Sequence, residues 1–80
     1  MPTLFYMKTK IGSKTISVYG LGNVGGPIAA AWIKADFTVI GVDISKKLLN
    51  EIKKGASHKK EPYVSKILSH GLQTKRFFLT

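Results

Sequence analysis

The sequence predicts an α/β fold of element order β-α-β-α-α-β, a three-stranded parallel sheet with helices. Two observations carry this expectation. Gly20-Leu21-Gly22-Asn23-Val24-Gly25 follows an apolar run, Thr15-Ile16-Ser17-Val18-Tyr19, and precedes an Ala-rich stretch. Asp43 then closes a second apolar run, Phe37-Thr38-Val39-Ile40-Gly41-Val42. A G-x-G-x-x-G alone is a weak signal. Strand, glycine turn, helix, strand and terminal acid within about thirty residues form the full dinucleotide-binding fingerprint.

A complete doubly wound fold of this kind uses two mononucleotide-binding halves, and 80 residues have room for one. The expectation is therefore a half-Rossmann unit, a partial dinucleotide-binding domain over residues 14–80. It is preceded by a lead-in over 1–13 that holds the apolar patch Leu4-Phe5-Tyr6-Met7. The first strand is expected over about Thr15–Tyr19. The first helix follows over about Val24–Ala35, with Ile28, Ala29, Trp32 and Ile33 as its apolar stripe. Trp32 reads as a core or interface residue. Ala35-Asp36-Phe37 links to a second strand, Thr38–Val42. Ser45 is placed to cap a second helix, with Leu48, Leu49 and Ile52 on one side and Gly55 at its end. After a polar loop over 56–61, a short helix around Pro62–Ser69 is expected to turn Tyr63, Ile67 and Leu68 inward and to stop at Gly71. A third strand is expected over Arg76–Thr80.

Each fingerprint residue type has a mechanical reason. Gly20 permits a sharp turn out of the first strand. Gly22 lets a pyrophosphate approach the backbone, and Gly25 lets helix and sheet pack closely. The helix opening near Val24 directs N–H groups and a positive dipole end toward phosphates. Pro27, in the first turn, gives up an N–H that has no helical partner. Asp43 is expected to accept hydrogen bonds from the adenosine ribose hydroxyls and to repel a 2′-phosphate, favouring NAD over NADP. Lys46 and Lys47 nearby weaken that preference slightly. The competing reading of the same residues is a glycine-rich strand–helix turn that packs well and binds nothing.

Composition narrows the alternatives. At 44% hydrophobic residues the chain is expected to fold. It contains no cysteine, which removes disulfides, thiolate zinc sites and a thiol nucleophile. No apolar stretch is long enough to span a bilayer and no signal-like cleavage site is present, so a cytoplasmic protein is expected. Thirteen Lys and Arg against four acids give a net charge of +9. Nine of those basic residues lie within 44–80, a distribution compatible with a polyanion. No aromatic stripe interleaves the lysines, which favours a solvated Lys-rich surface over nucleic-acid binding. His58 and His70 have no cysteine or carboxylate pair nearby to complete a metal site, and both read as surface residues. Glu61 reads as a helix N-terminal carboxylate. No catalytic set can be assembled.

The segment Ile16-Ser17-Val18-Tyr19-Gly20-Leu21-Gly22-Asn23-Val24-Gly25-Gly26-Pro27 resembles the N-terminus of nucleotide-sugar 6-dehydrogenases, the family of UDP-glucose and UDP-N-acetylmannosamine dehydrogenases. Val39-Ile40-Gly41-Val42-Asp43 is similar to the family's second strand. Gly55, Glu61 and Pro62 follow at the spacing of its glycine-to-Glu-Pro segment, and Gly71-Leu72 through Phe77-Phe78-Leu79-Thr80 is similar to the strand that comes next. The similarity covers roughly residues 15–80 and is greatest toward the UDP-N-acetylmannosamine members.

The resemblance implies NAD as cofactor and a two-step oxidation of a sugar C6 alcohol to a carboxylate. It carries cofactor roles onto Gly20, Gly22, Asn23, Val24, Gly25 and Asp43. Asn23 stands where the family usually has an aromatic residue, Gly26 replaces a usual Leu, and Leu48 takes a position that is often basic. The family's catalytic cysteine and sugar-binding domain lie far downstream of the matching region, so this chain alone is expected to be inactive. Two other readings stay open: a small nucleotide-sensing or regulatory domain, and a basic polyanion-binding module. In the family's sheet a fourth strand lies beside strand one. Without it strand one is an open apolar edge, and a homodimer through that edge is expected.

Overall fold

The structure, a computed structural model, describes residues 14–80, so the expected lead-in over 1–13 lies outside the described residues. The elements are β1 (Thr15–Tyr19), α1 (Gly25–Lys34), β2 (Thr38–Val42), α2 (Lys46–Lys54), α3 (Pro62–Gln73) and β3 (Phe77–Leu79). The sheet has the order β1-β2-β3 with both pairings parallel, so β2 is central. Thr15 pairs with Thr38 and Tyr19 with Val42, while Val39 pairs with Phe77 and Gly41 with Leu79. Backbone bonds carry the ladder past β3, because the Thr80 amide donates to the Gly41 carbonyl and the Asp43 amide to that of Thr80.

Alternation along the strands sets the two faces. Val18, Val39 and Phe77 are buried, with Ile16 and Leu79 packed around them. The intervening Ser17, Tyr19 and Phe78 are exposed. The core is completed by Leu21, by Ala29, Ala30 and Ile33 of α1, by Ile52 of α2, and by Val64 and Leu68 of α3. Helices α1 and α3 pack against each other as well as against the sheet.

Local chemistry explains the helix ends. The Ser45 hydroxyl accepts from the Leu48 amide at 3.1 Å, satisfying an N-terminal donor of α2. Gly55 closes α2 with φ +75°, a conformation that glycine adopts without strain. Pro62 occupies the first turn of α3, where its missing N–H costs nothing.

The structure corrects four details. The buried stripe of α1 is Gly26, Ala29, Ala30 and Ile33, whereas Ile28 and Trp32 are partly exposed. Trp32 instead meets Phe37 edge-on, with ring centroids 4.8 Å apart. Helix α3 runs on to Gln73, so Gly71 does not stop it. A Cβ at Gly71 would stand 2.9 Å from Phe77 Cβ and 3.2 Å from Ile33 Cδ1, so Gly71 is where helix and sheet cross. Tyr63 is exposed, and Val64 is the buried residue in that turn. Strand β3 is shorter than expected, at three residues.

Candidate dinucleotide site

The site forms where β1 ends and α1 begins. Gly20 has φ +87°, which turns the chain out of β1 while its amide still donates to the Val42 carbonyl at 2.7 Å. Gly25 then returns so close to Gly20 that any Cβ on it would overlap the Gly20 carbonyl oxygen. Leu21 between them is fully buried and anchors the turn in the core. Gly22, Asn23 and Val24 form the exposed crest.

Three features decide whether these residues suit a dinucleotide. A Cβ built on Gly22 meets nothing within 4 Å, so the space above the crest is open. The N-terminus of α1 has no side-chain cap and no acidic residue in its first turn, which leaves its positive dipole end to an outside anion. At the end of β2 the half-buried carboxylate of Asp43 accepts from the Leu21 amide through Oδ2 and from the Ser45 amide through Oδ1, both at 2.8 Å. A carboxylate has about four lone-pair positions, so two bonds leave acceptor capacity for ribose hydroxyls. The Leu21 N–H, and then the Ser45 N–H, hold the Asp43 carboxyl below the usual range, outweighing the opposing effect of partial burial. The donor set therefore fits the ADP portion of NAD.

Gly20, Gly22, Asn23, Val24, Gly25 and Asp43 are thus brought together beyond the C-terminal ends of β1 and β2. Lys46 and Lys47 are exposed on the first turn of α2, just beyond Asp43. The structure adds a residue that the sequence reading assigned to the surface. His58 is half-buried, its Nε2 lies 3.0 Å from both the Leu21 and Gly22 carbonyl oxygens, and its Nδ1 lies 2.8 Å from Ser57 Oγ. Ser57 is buried beneath it. The contact joins residues more than thirty positions apart, and nothing in the local pattern of 56–61 announces it. His70 is exposed, as read. Among the described residues no three His, Cys, Asp or Glu side chains converge as a metal site needs.

Parallel strands in this order, with a glycine turn at the switch from strand to helix and an acid closing the second strand, define a mononucleotide-binding half of a doubly wound dinucleotide domain. Residues 14–80 match the UDP-glucose/GDP-mannose dehydrogenase family, NAD binding domain, and the chain belongs to that family. Over 62 residues it is 42% identical to the UDP-N-acetyl-D-mannosamine dehydrogenase of Methanococcus vannielii, covering 78% of this chain and 14% of that protein. Among solved structures it resembles a GDP-mannose dehydrogenase ternary complex from Pseudomonas aeruginosa, with TM-score 0.73, 38% identity, and coverage of 81% of this chain and 15% of that one. The UDP-D-ManNAc dehydrogenase of Pyrococcus horikoshii gives TM-score 0.73 at 30% identity, covering 82% of this chain and 16% of that one. The chain therefore spans about one seventh of the length of the relatives it matches.

Proposed function

We propose that this chain supplies the ADP-binding side of the NAD site in a nucleotide-sugar dehydrogenase that oxidises the C6 alcohol of a UDP-sugar to a carboxylate. UDP-N-acetylmannosamine is the favoured substrate class. The observation that carries the reading is the pairing of the open glycine crest with Asp43, bound to the same turn through the Leu21 amide. In this reading the α1 N-terminus and the crest amides receive the pyrophosphate. Asp43 takes the adenosine ribose and disfavours a 2′-phosphate. NAD supplies the hydride acceptor. These 80 residues contain no cysteine, so in this reading the catalytic cysteine that the resemblance implies is supplied by other parts of the enzyme.

A cytoplasmic location belongs to the same reading, supported by the nucleotide cofactor. No helix among the described residues is long and apolar enough to cross a membrane. A homodimer through β1 belongs to it as well, supported by the position of β1 at the edge of the described sheet.

Titration with NAD, followed by backbone amide shifts, tests the cofactor site. Shifts at Gly22, Val24 and Asp43, absent or much smaller with NADP, are expected. No movement at these amides at millimolar NAD overturns the assignment.

A further inference from the structure

His58 holds a left-handed backbone conformation, φ +53°, which a non-glycine residue rarely adopts. Its carbonyl accepts from the Glu61 amide at 2.9 Å, which fixes the backbone in place. The ring lies against Gly26, where a Cβ would overlap Nε2 and stand 2.6 Å from Cε1. Only a glycine at position 26 admits the imidazole.

The hydrogen bonding is directional. Carbonyl oxygens only accept, so Nε2 carries the proton and shares it between Leu21 O and Gly22 O. In the neutral ring Nδ1 then accepts from the Ser57 hydroxyl, which holds the tautomer. The described peptide bonds are all trans, and in a trans peptide the N–H points opposite to the C=O. Drawing the carbonyls of Leu21 and Gly22 toward His58 therefore turns the N–H groups of Gly22 and Asn23 away from the ring. Two successive N–H groups turned to one side make an anion-binding concavity.

We propose that His58 is a positioning residue for the cofactor pyrophosphate. Its Nε2–H holds the Leu21–Gly22 peptide plane and, together with the Gly26 amide that donates to the same Gly22 carbonyl at 2.9 Å, the Gly22–Asn23 plane, whose N–H groups meet the phosphates; Gly26 also makes room for its ring. The role rests on the NAD reading above, but the loop geometry exists without the ligand, so the two can be tested separately.

The test uses the whole chain and NAD as the probe. His58→Phe keeps a ring of similar size and loses the donor, whereas His58→Gln retains an N–H. The His58→Phe variant is expected to melt close to the parent, to shift the Gly22 and Asn23 amides in the free protein, and to bind NAD about tenfold more weakly. The His58→Gln variant is expected to recover much of that loss. Unchanged loop amides in a folded His58→Phe variant overturn the proposal, as does a His58→Gln variant as impaired as His58→Phe. If the parent does not bind NAD, the cofactor reading fails while the free-state amide shifts still report on the clamp. If His58→Phe does not fold, Gly26→Ala displaces the ring with the imidazole intact. Shifts at Gly22 and Asn23 then support the clamp, and their absence overturns it.

Discussion

The Leu21 amide donates to Asp43 Oδ2 across 2.8 Å, so the acid at the end of β2 holds the buried residue at the centre of the glycine turn. Oδ1 of the same carboxylate accepts from Ser45 at the entrance to α2. One side chain thus ties together the turn, the central strand and the next helix, with acceptor capacity left over for a ligand.

This arrangement predicts a response to acid. The two amide donors favour the charged carboxylate, so the pKa of Asp43 is lower folded than unfolded. Its contribution to stability is fully present above the unfolded value of about 3.9 and is lost as pH falls through the lower folded value. The Leu21 amide resonance is expected to stay constant through neutral pH and to move only in strong acid. Asp43→Asn is expected to remove that late transition and to weaken NAD binding. A Leu21 shift centred near pH 6 contradicts the assignment.

Gly25 and Gly22 separate packing from ligand approach. A methyl on Gly25 overlaps the Gly20 carbonyl, so Gly25→Ala is expected to cost about 1–3 kcal/mol in a urea unfolding measurement. A methyl on Gly22 meets no protein atom within 4 Å. Gly22→Ala is therefore expected to unfold near the parent midpoint while losing NAD affinity, because the methyl occupies the space a pyrophosphate needs.

The Ser45 cap is expected to be worth about 1 kcal/mol, the usual cost of replacing such a residue by Ala. Ser45→Ala keeps the amide that donates to Asp43, so the loss falls on the start of α2. Hydrogen exchange should show faster opening at Leu48, with β1 and β2 unaffected. Uniform loss of protection across the sheet contradicts a local role.

Assembly is testable by light scattering. If β1 pairs with its mate, the protein is expected to have twice the chain mass of 8.8 kDa, and Ser17→Lys, placing a charge on the edge strand, is expected to return it to a monomer. A parent that remains a monomer at high concentration removes the dimer.

The sequence by itself determined the element order, both long strands, the Ser45 and Gly55 helix ends and the placement of the glycine turn beside Asp43. These depend on short-range chemistry: alternation, caps, backbone freedom and a fixed strand–helix spacing. Tertiary structure decided what depends on close approach between distant segments. Gly71 resembles a helix terminator until Phe77 and Ile33 are seen pressed against it, and the buried stripe of α1 includes Gly26 because the ring of His58 lies against it. His58, in a polar loop, reads as a surface residue. Its position over Leu21, Gly22 and Gly26 arises only when the loop after α2 folds back across the glycine turn, because a side chain's hydrogen-bond partners are set by packing and not by its neighbours in the chain.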